Sequence, residues 1–195
     1  MNFESCIPTN VSDELRKLVG CKIMSIKRYS WWSPEDVVND YGVAPKDVFS
    51  LTAGPAAIEM ETGVVLGIAS DPSLNSVVVW EEKDASGNFL RDEPLDRDAE
   101  LHEISSVDPI YSSFFWHRVV GFRIVKIKII KRVCESIRVS QRPGEVGLSF
   151  LLDSGDVFLA AHGLHDDSDD FSLISESLIF PSLQESLRET LLWPA

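Results

Sequence analysis

Two stretches of this chain, a hundred residues apart, carry the same pattern. "KLVGCKIMSIKR" at 17–28 and "HRVVGFRIVKIKIIKR" at 117–132 align Val19 with Val120, Gly20 with Gly121 and Lys22 with Arg123, then Ile23 with Ile124, Ile26 with Ile127 and Lys27 with Lys128. Further on, "AAIEMETGVVLGIAS" (56–70) faces "GLSFLLDSGDVFLAA" (147–161), matching Ile58 with Phe150, Met60 with Leu152, Glu61 with Asp153 and Gly63 with Gly155. The offset falls from 101 to 92, as an insertion of nine residues in the first copy requires. Two blocks in one order with matching chemistry indicate a duplicated module, and a duplication limits the fold to arrangements of one unit used twice.

Each unit reads alike. A helical lead-in ("SDELRKLVG", with Ser12 as N-cap, and "DPIYSSFFWHRVVG") precedes a strand whose apolar residues alternate with cations, clearest in "FRIVKIKII". A hairpin follows, with Thr-Gly or Ser-Gly at the turn, and then a fourth strand, "NSVVVWEE" or "DFSLISESLIF". A polar excursion, Glu81 to Glu103, separates the copies. Leu183, Leu187 and Leu191 form an i, i+4 stripe behind Pro181 that predicts a C-terminal amphipathic helix. The expected class is α+β: two antiparallel β-meander modules related by a pseudo-repeat, with flanking short helices. The parts are a first β module over 1–90, an acidic excursion and lead-in over 91–116, and a second module with the C-terminal helix over 117–195. Units of this size bury little alone, so one shared core is expected.

Composition excludes several functions. No apolar run approaches the roughly 20 residues of a membrane span, and "MNFESCIPTN" has neither the basic nor the apolar region of a secretory signal. Cys6, Cys21 and Cys134 are odd in number and lack metal-site spacing, which suits reduced thiols in the cytoplasm. A net charge of −13 argues against nucleic acid as a partner. That charge is uneven: residues 118–142 carry +7, so the remainder carries −20, an acidic field suited to a basic protein partner.

The densest acidic feature is "HGLHDDSDDF" at 162–171, whose counterpart "SDPSLNSV" at 70–77 has no histidine and one carboxylate. Three readings stand: a metal site on His162, His165 and Asp166; a solvated turn; or a partner-facing surface of Asp166, Asp167, Asp169 and Asp170. The His-x-x-His lacks the intervening glutamate of a zinc protease, and the aspartates lack calcium-loop register. Asp92 and Glu93, in the excursion, add to the acidic surface. Trp31 and Trp32, in "YSWWSPED", lie in the insertion peculiar to the first copy and have the composition of an interface anchor. No catalytic constellation stands beside these. Ser154 serves a turn, His117 is isolated, and Cys134 sits among cations with no nearby histidine, so no catalytic residue and no cofactor is assigned.

With its strand opening at "LVGCKI", its two hairpins "IEMETGVVLGI" and "LSFLLDSGDVFLAA" and its acidic charge, the chain resembles bacterial immunity proteins. These neutralise polymorphic or secreted toxins, including those of type VI secretion. The resemblance implies a stoichiometric inhibitor that covers the basic cleft of a cognate toxin, often a nuclease, with carboxylates that compete for its Lys and Arg. The remaining alternatives are a metal-dependent hydrolase using the His162/His165/Asp loop and a non-catalytic interaction adaptor.

Overall fold

The computed structural model describes residues 5–133, 142–166 and 170–192; Cys134, Asp167 and Asp169 lie outside them. The first copy forms α1 (Ser12–Arg16), β1 (Ile23–Ser30), α2 (Pro34–Asn39), α3 (Val48–Leu51), β2 (Ala56–Met60), β3 (Val65–Asp71), β4 (Ser76–Lys83) and β5 (His102–Ser105). The second forms α4 (Phe114–Val119), β6 (Ile124–Arg132), β7 (Gly147–Leu152), β8 (Val157–His162), β9 (Phe171–Ser175) and β10 (Leu187–Leu191). The sheets are ordered β4-β3-β2-β1-β5 and β9-β8-β7-β6-β10, and every pairing is antiparallel. Each is a four-strand meander whose fifth strand returns to flank the first. The fold is therefore α+β, two meanders related by a pseudo-repeat with short flanking helices.

The repeat holds at the level of single hydrogen bonds. Both first strands carry a β-bulge at the matched position, between Ile23 and Ser25 in β1 and between Ile124 and Lys126 in β6. The extra residue expels one apolar side chain from each strand, Met24 and Val125, to solvent. Both hairpin turns place their glycine at positive φ, 85° at Gly63 and 86° at Gly155. Glu61 N donates to Lys22 O and Asp153 N to Arg123 O, each at 2.9 Å. Glu61 and Asp153 then accept from the Lys22 and Arg123 amides, at 3.1 and 2.9 Å.

The copies meet where their first strands begin. Gly20 N donates to Ile124 O (2.7 Å) and Gly121 N to Ile23 O (2.8 Å), while Ile23 N donates to Phe122 O (2.9 Å) and Ile124 N to Cys21 O (3.0 Å). Lys22 and Arg123 face each other across this antiparallel bridge, so a local two-fold passes between them. The inner faces of both sheets contribute to one apolar cluster, including Ile26, Ile58, Leu66, Phe150, Phe158 and Leu173. The lead-in helices close it. Trp116 of α4 packs on Phe49 of α3, with centroids 5.1 Å apart, and its indole N–H donates to Ser50 (2.8 Å).

Each outer face is covered by the segment that carries the chain to its fifth strand. Over the first sheet, the loop between β4 and β5 is no loose excursion. Leu95 and Leu101 pack on Tyr29, Ala57 and Val65, and the Leu95 amide donates to buried Glu82 (2.7 Å). Asp96 takes hydrogen bonds from Tyr29 and Lys83, and Lys27 pairs with Glu103 at 2.9 Å. Over the second sheet, Ile179 and Leu183 cover Ile130, Leu159 and Ile174.

Two local expectations are corrected. The C-terminal helix is absent: Pro181–Ser186 is a 3-10 helix and Leu187–Leu191 is β10, paired along β6. A spacing of four suits one face of a strand as well as a helix, and pairing satisfies the edge amides and carbonyls of β6. At α1 the N-cap position is Val11, not Ser12, and no side chain caps the helix.

Asp96 makes the strap over the first sheet acid-sensitive. Burial works to raise its pKa, but the hydrogen bonds from Lys83 and Tyr29 and the nearby lysine charges outweigh burial and hold the carboxyl below its usual value. A carboxyl depressed on folding stabilises the native state above its unfolded pKa of ~3.9 and ceases to as pH falls through the folded value. Urea unfolding of wild type and Asp96→Asn is thus expected to show a stability gap that is full at pH 7 and closes below about pH 4. A gap unchanged at pH 3 contradicts this assignment.

Candidate functional site

The longer insertion of the first copy and the acidic loop of the second meet at one end of the molecule. β1 ends at Ser30, and Trp31 and Trp32 form a bend before α2, whose N-cap Ser33 accepts from Asp36 N at 3.1 Å with Pro34 at the first helical position. Behind the bend, the 53–55 segment pairs with the end of β1: Trp31 N donates to Ala53 O (3.1 Å) and Tyr29 N to Pro55 O (2.9 Å). The Trp32 amide is held by the Ser30 hydroxyl at 3.1 Å. Gly54 permits this approach. Its φ is 123°, and a Cβ there would lie 2.0 Å from Tyr29 O.

The two tryptophans are both about half exposed, 52% and 47%, and line separate depressions. Trp32 contributes to a cavity of about 470 Å³ with Tyr41, Val37, Leu51, Asp166 and Asp170. Trp31 contributes to a smaller one of about 240 Å³ with Gly54, Pro55, Pro72 and, again, Asp170. Ala53, Asp170 and Phe171 belong to both and form the ridge between them. Both tryptophans and two of the four expected aspartates therefore share one surface; Asp167 and Asp169 lie outside the described residues.

Arg28 of β1 lies under this surface. It is fully buried, where the repeat places Ile129 in the second copy, and no ion pair reaches it among the described residues. Burial pushes its pKa down to about 9, so it remains charged at neutral pH. Its guanidinium stacks on Phe171 (4.7 Å to the centroid) and donates to Thr52 O and Phe171 O, tying the α3 segment to β9.

No family model, curated protein or solved structure matches this chain. Asp92 and Glu93 are exposed but line a different depression, with Pro94, Arg97 and Asp98, over the first sheet. Their neighbours Asp96 and Glu103 are engaged within the molecule. The basic stretch is similarly absorbed: Arg118 pairs with Asp156 (2.9 Å), Arg123 with Glu61, Lys128 with Glu189 (2.6 Å) and Lys131 with buried Glu145 (3.0 Å).

For metal chemistry, two of the three expected ligands, His165 and Asp166, line the cavity at Trp32, and His162 does not join them there. His162 is buried at the end of β8, its amide bonded to Val146 O, whereas Asp166 is exposed. Among the described residues no three His, Cys, Asp or Glu side chains gather as a metal ion would require. Among them, too, no helix is long and apolar enough to cross a membrane. Sequence reasoning missed Tyr41, whose ring lies 5.7 Å from that of Trp32. The available signal was its place just before Gly42, which leaves α2 at a φ of 69°.

Replacing Gly54 tests how this surface is held. Gly54→Ala is expected to cost more than Gly87→Ala in urea unfolding, and to shift the tryptophan emission. Both glycines have positive φ, a backbone penalty of about 1–3 kcal/mol for alanine, but a Cβ at Gly87 meets nothing within 4 Å. Equal costs at the two positions contradict the close packing of 54 on β1.

Proposed function

We propose that this protein is an immunity protein, a stoichiometric inhibitor that neutralises a cognate bacterial toxin by laying an acidic, aromatic surface over the toxin's basic active-site cleft. The observation that carries the reading is the joining of Trp31 and Trp32 with Asp166 and Asp170 on one surface, although they come from different copies of the repeat. Half-exposed tryptophans supply apolar area and carboxylates supply charge complementarity, the composition of a hot spot for a cationic partner.

The charge distribution favours the same reading. Most of the lysines and arginines of the 118–132 stretch are engaged by acids of the same chain, and the exposed Asp166 and Asp170 carry negative charge beside the tryptophans that can steer a basic partner. A nuclease cleft is the fitting target, because it is built to attract phosphate and its Lys and Arg bind a rigid carboxylate array in the same way. Inhibition then needs only occupancy of the cleft. It requires no chemistry from this chain.

The test is capture of the partner from the encoding organism at low salt, followed by assay of the captured protein for nucleic-acid cleavage. The expected partner is basic, is inhibited at one-to-one stoichiometry, and is bound more weakly as salt rises. Asp166→Lys with Asp170→Lys is expected to reduce its affinity at least ~100-fold, since like charges replace attractive ones. Undiminished inhibition by that double variant would sink the proposal.

A further inference from the structure

Arg28 occupies a core position that the other copy fills with an aliphatic residue. In the first sheet it pairs with Ala56 of β2; at the matched rung of the second, Ile129 of β6 pairs with Leu148 of β7. All four residues are buried. The copies therefore differ by a pair and not by one residue. A long cation stands beside a small partner in the first, and two aliphatic side chains stand together in the second. Ala56 leaves beside it the room that the longer side chain takes up.

The core serves this cation poorly. Its Nε and Nη1 have no hydrogen-bond partner among the described residues, and no carboxylate pairs with it there. A buried charge without a counter-ion and buried donors without acceptors both cost stability. The bonds it does make are directed to one place. Nη2 donates to Thr52 O, at the end of α3, and to Phe171 O (3.3 Å), where the acidic loop enters β9. Thr52 and Phe171 both line the cavity at Trp32, and Phe171 with Ala53 and Asp170 makes the ridge between the two depressions. One buried nitrogen thus fastens the insertion to the acidic-loop strand beneath the face they form.

We infer that Arg28 is a positioning residue: it holds the insertion and the acidic loop together as one surface, at a cost to the stability of the core. The inference rests on reading this end as the partner surface, and it names the residue that keeps that surface assembled.

Stability and surface order are then expected to respond in opposite directions. Two full-length variants remove the donors. Arg28→Met keeps an unbranched side chain, and Arg28→Ile with Ala56→Leu installs the pair of the other copy. Both are expected to unfold at the same or a higher urea concentration than wild type, because an uncompensated buried charge is gone. Amide exchange followed by NMR is expected to quicken about 10-fold or more at Trp31, Thr52 and Gly163, whose amides bond to Ala53 O, Val48 O and Asp170 O. The junction amides of Gly20, Ile23, Gly121 and Ile124 are expected to keep their wild-type rates or to slow. Binding needs the assembled surface, so affinity for the protein captured by the wild-type chain is expected to fall by a similar factor.

Loss of folding or a lower urea midpoint in both variants shows Arg28 to be core structure and overturns the inference. If only one is destabilised, the other decides. Wild-type exchange at residues 31, 52 and 163, or exchange that quickens equally at the junction, also overturns it, as does quickened exchange with partner affinity intact. A wild-type chain that captures no inhibited toxin removes the proposed function instead, and the exchange rates still decide whether Arg28 holds this end together.

Discussion

The two copies of this fold are joined at the start of their first strands by four backbone hydrogen bonds between residues 20–23 and 121–124. They join the starts of β1 and β6 in antiparallel register, and because each has a symmetry mate they fix one copy of the repeat against the other. With the first strands anchored, the meanders that follow place their inner faces together, and the apolar cluster between them is drawn from both copies. The glycines at 20 and 121, with φ of 91° and 94°, allow the chain to leave the lead-in helices and enter this bridge. The acids at the hairpin turns, Glu61 and Asp153, then bond the same Lys22 and Arg123 amides, so the turns are fastened to the junction too.

The copies differ most at the end of the molecule away from this junction. There the first carries α2 and α3 between β1 and β2, and the second carries the acidic loop between β8 and β9. Arg28 replaces the isoleucine of the other copy and reaches across to Phe171 and Thr52. A buried cation held by carbonyls is a poor substitute for an aliphatic side chain in a core, but it joins the insertion to the second sheet. Divergence of a duplicated scaffold has thus been concentrated where two elements unlike in the two copies come together. The conserved half of the symmetry supplies rigidity, and the broken half supplies a surface.

Much of this was legible in the residues. The repeat could be read because Gly63 and Gly155 occupy turns that need positive φ, and because Glu61 and Asp153 make the same bonds beside them. The bulges explain why the alternation in "FRIVKIKII" leaves Ile124 and Val125 competing for the inward position: one extra residue resets the period. The C-terminal strand was not legible, since leucines four apart satisfy both periodicities and only the free edge of β6 decides between them. Nor could sequence distinguish spent acids from available ones. Asp96 and Glu103 resemble Asp92 and Glu93 as letters, but the former lie over Lys27 and Lys83. Trp31 and Trp32 were recognisable by type, whereas Tyr41 acquires meaning only from the cavity it lines with Trp32.

We propose the end formed by the insertion and the acidic loop as the surface that meets the partner. Hydrogen–deuterium exchange on the purified protein, free and bound to its partner, tests it most directly. Binding is expected to slow exchange in residues 31–54 and 162–173 and to leave the strap at 84–101 and the edge strand β10 unchanged. Slowed exchange confined to the strap or to β10, with residues 31–54 unaffected, would contradict it.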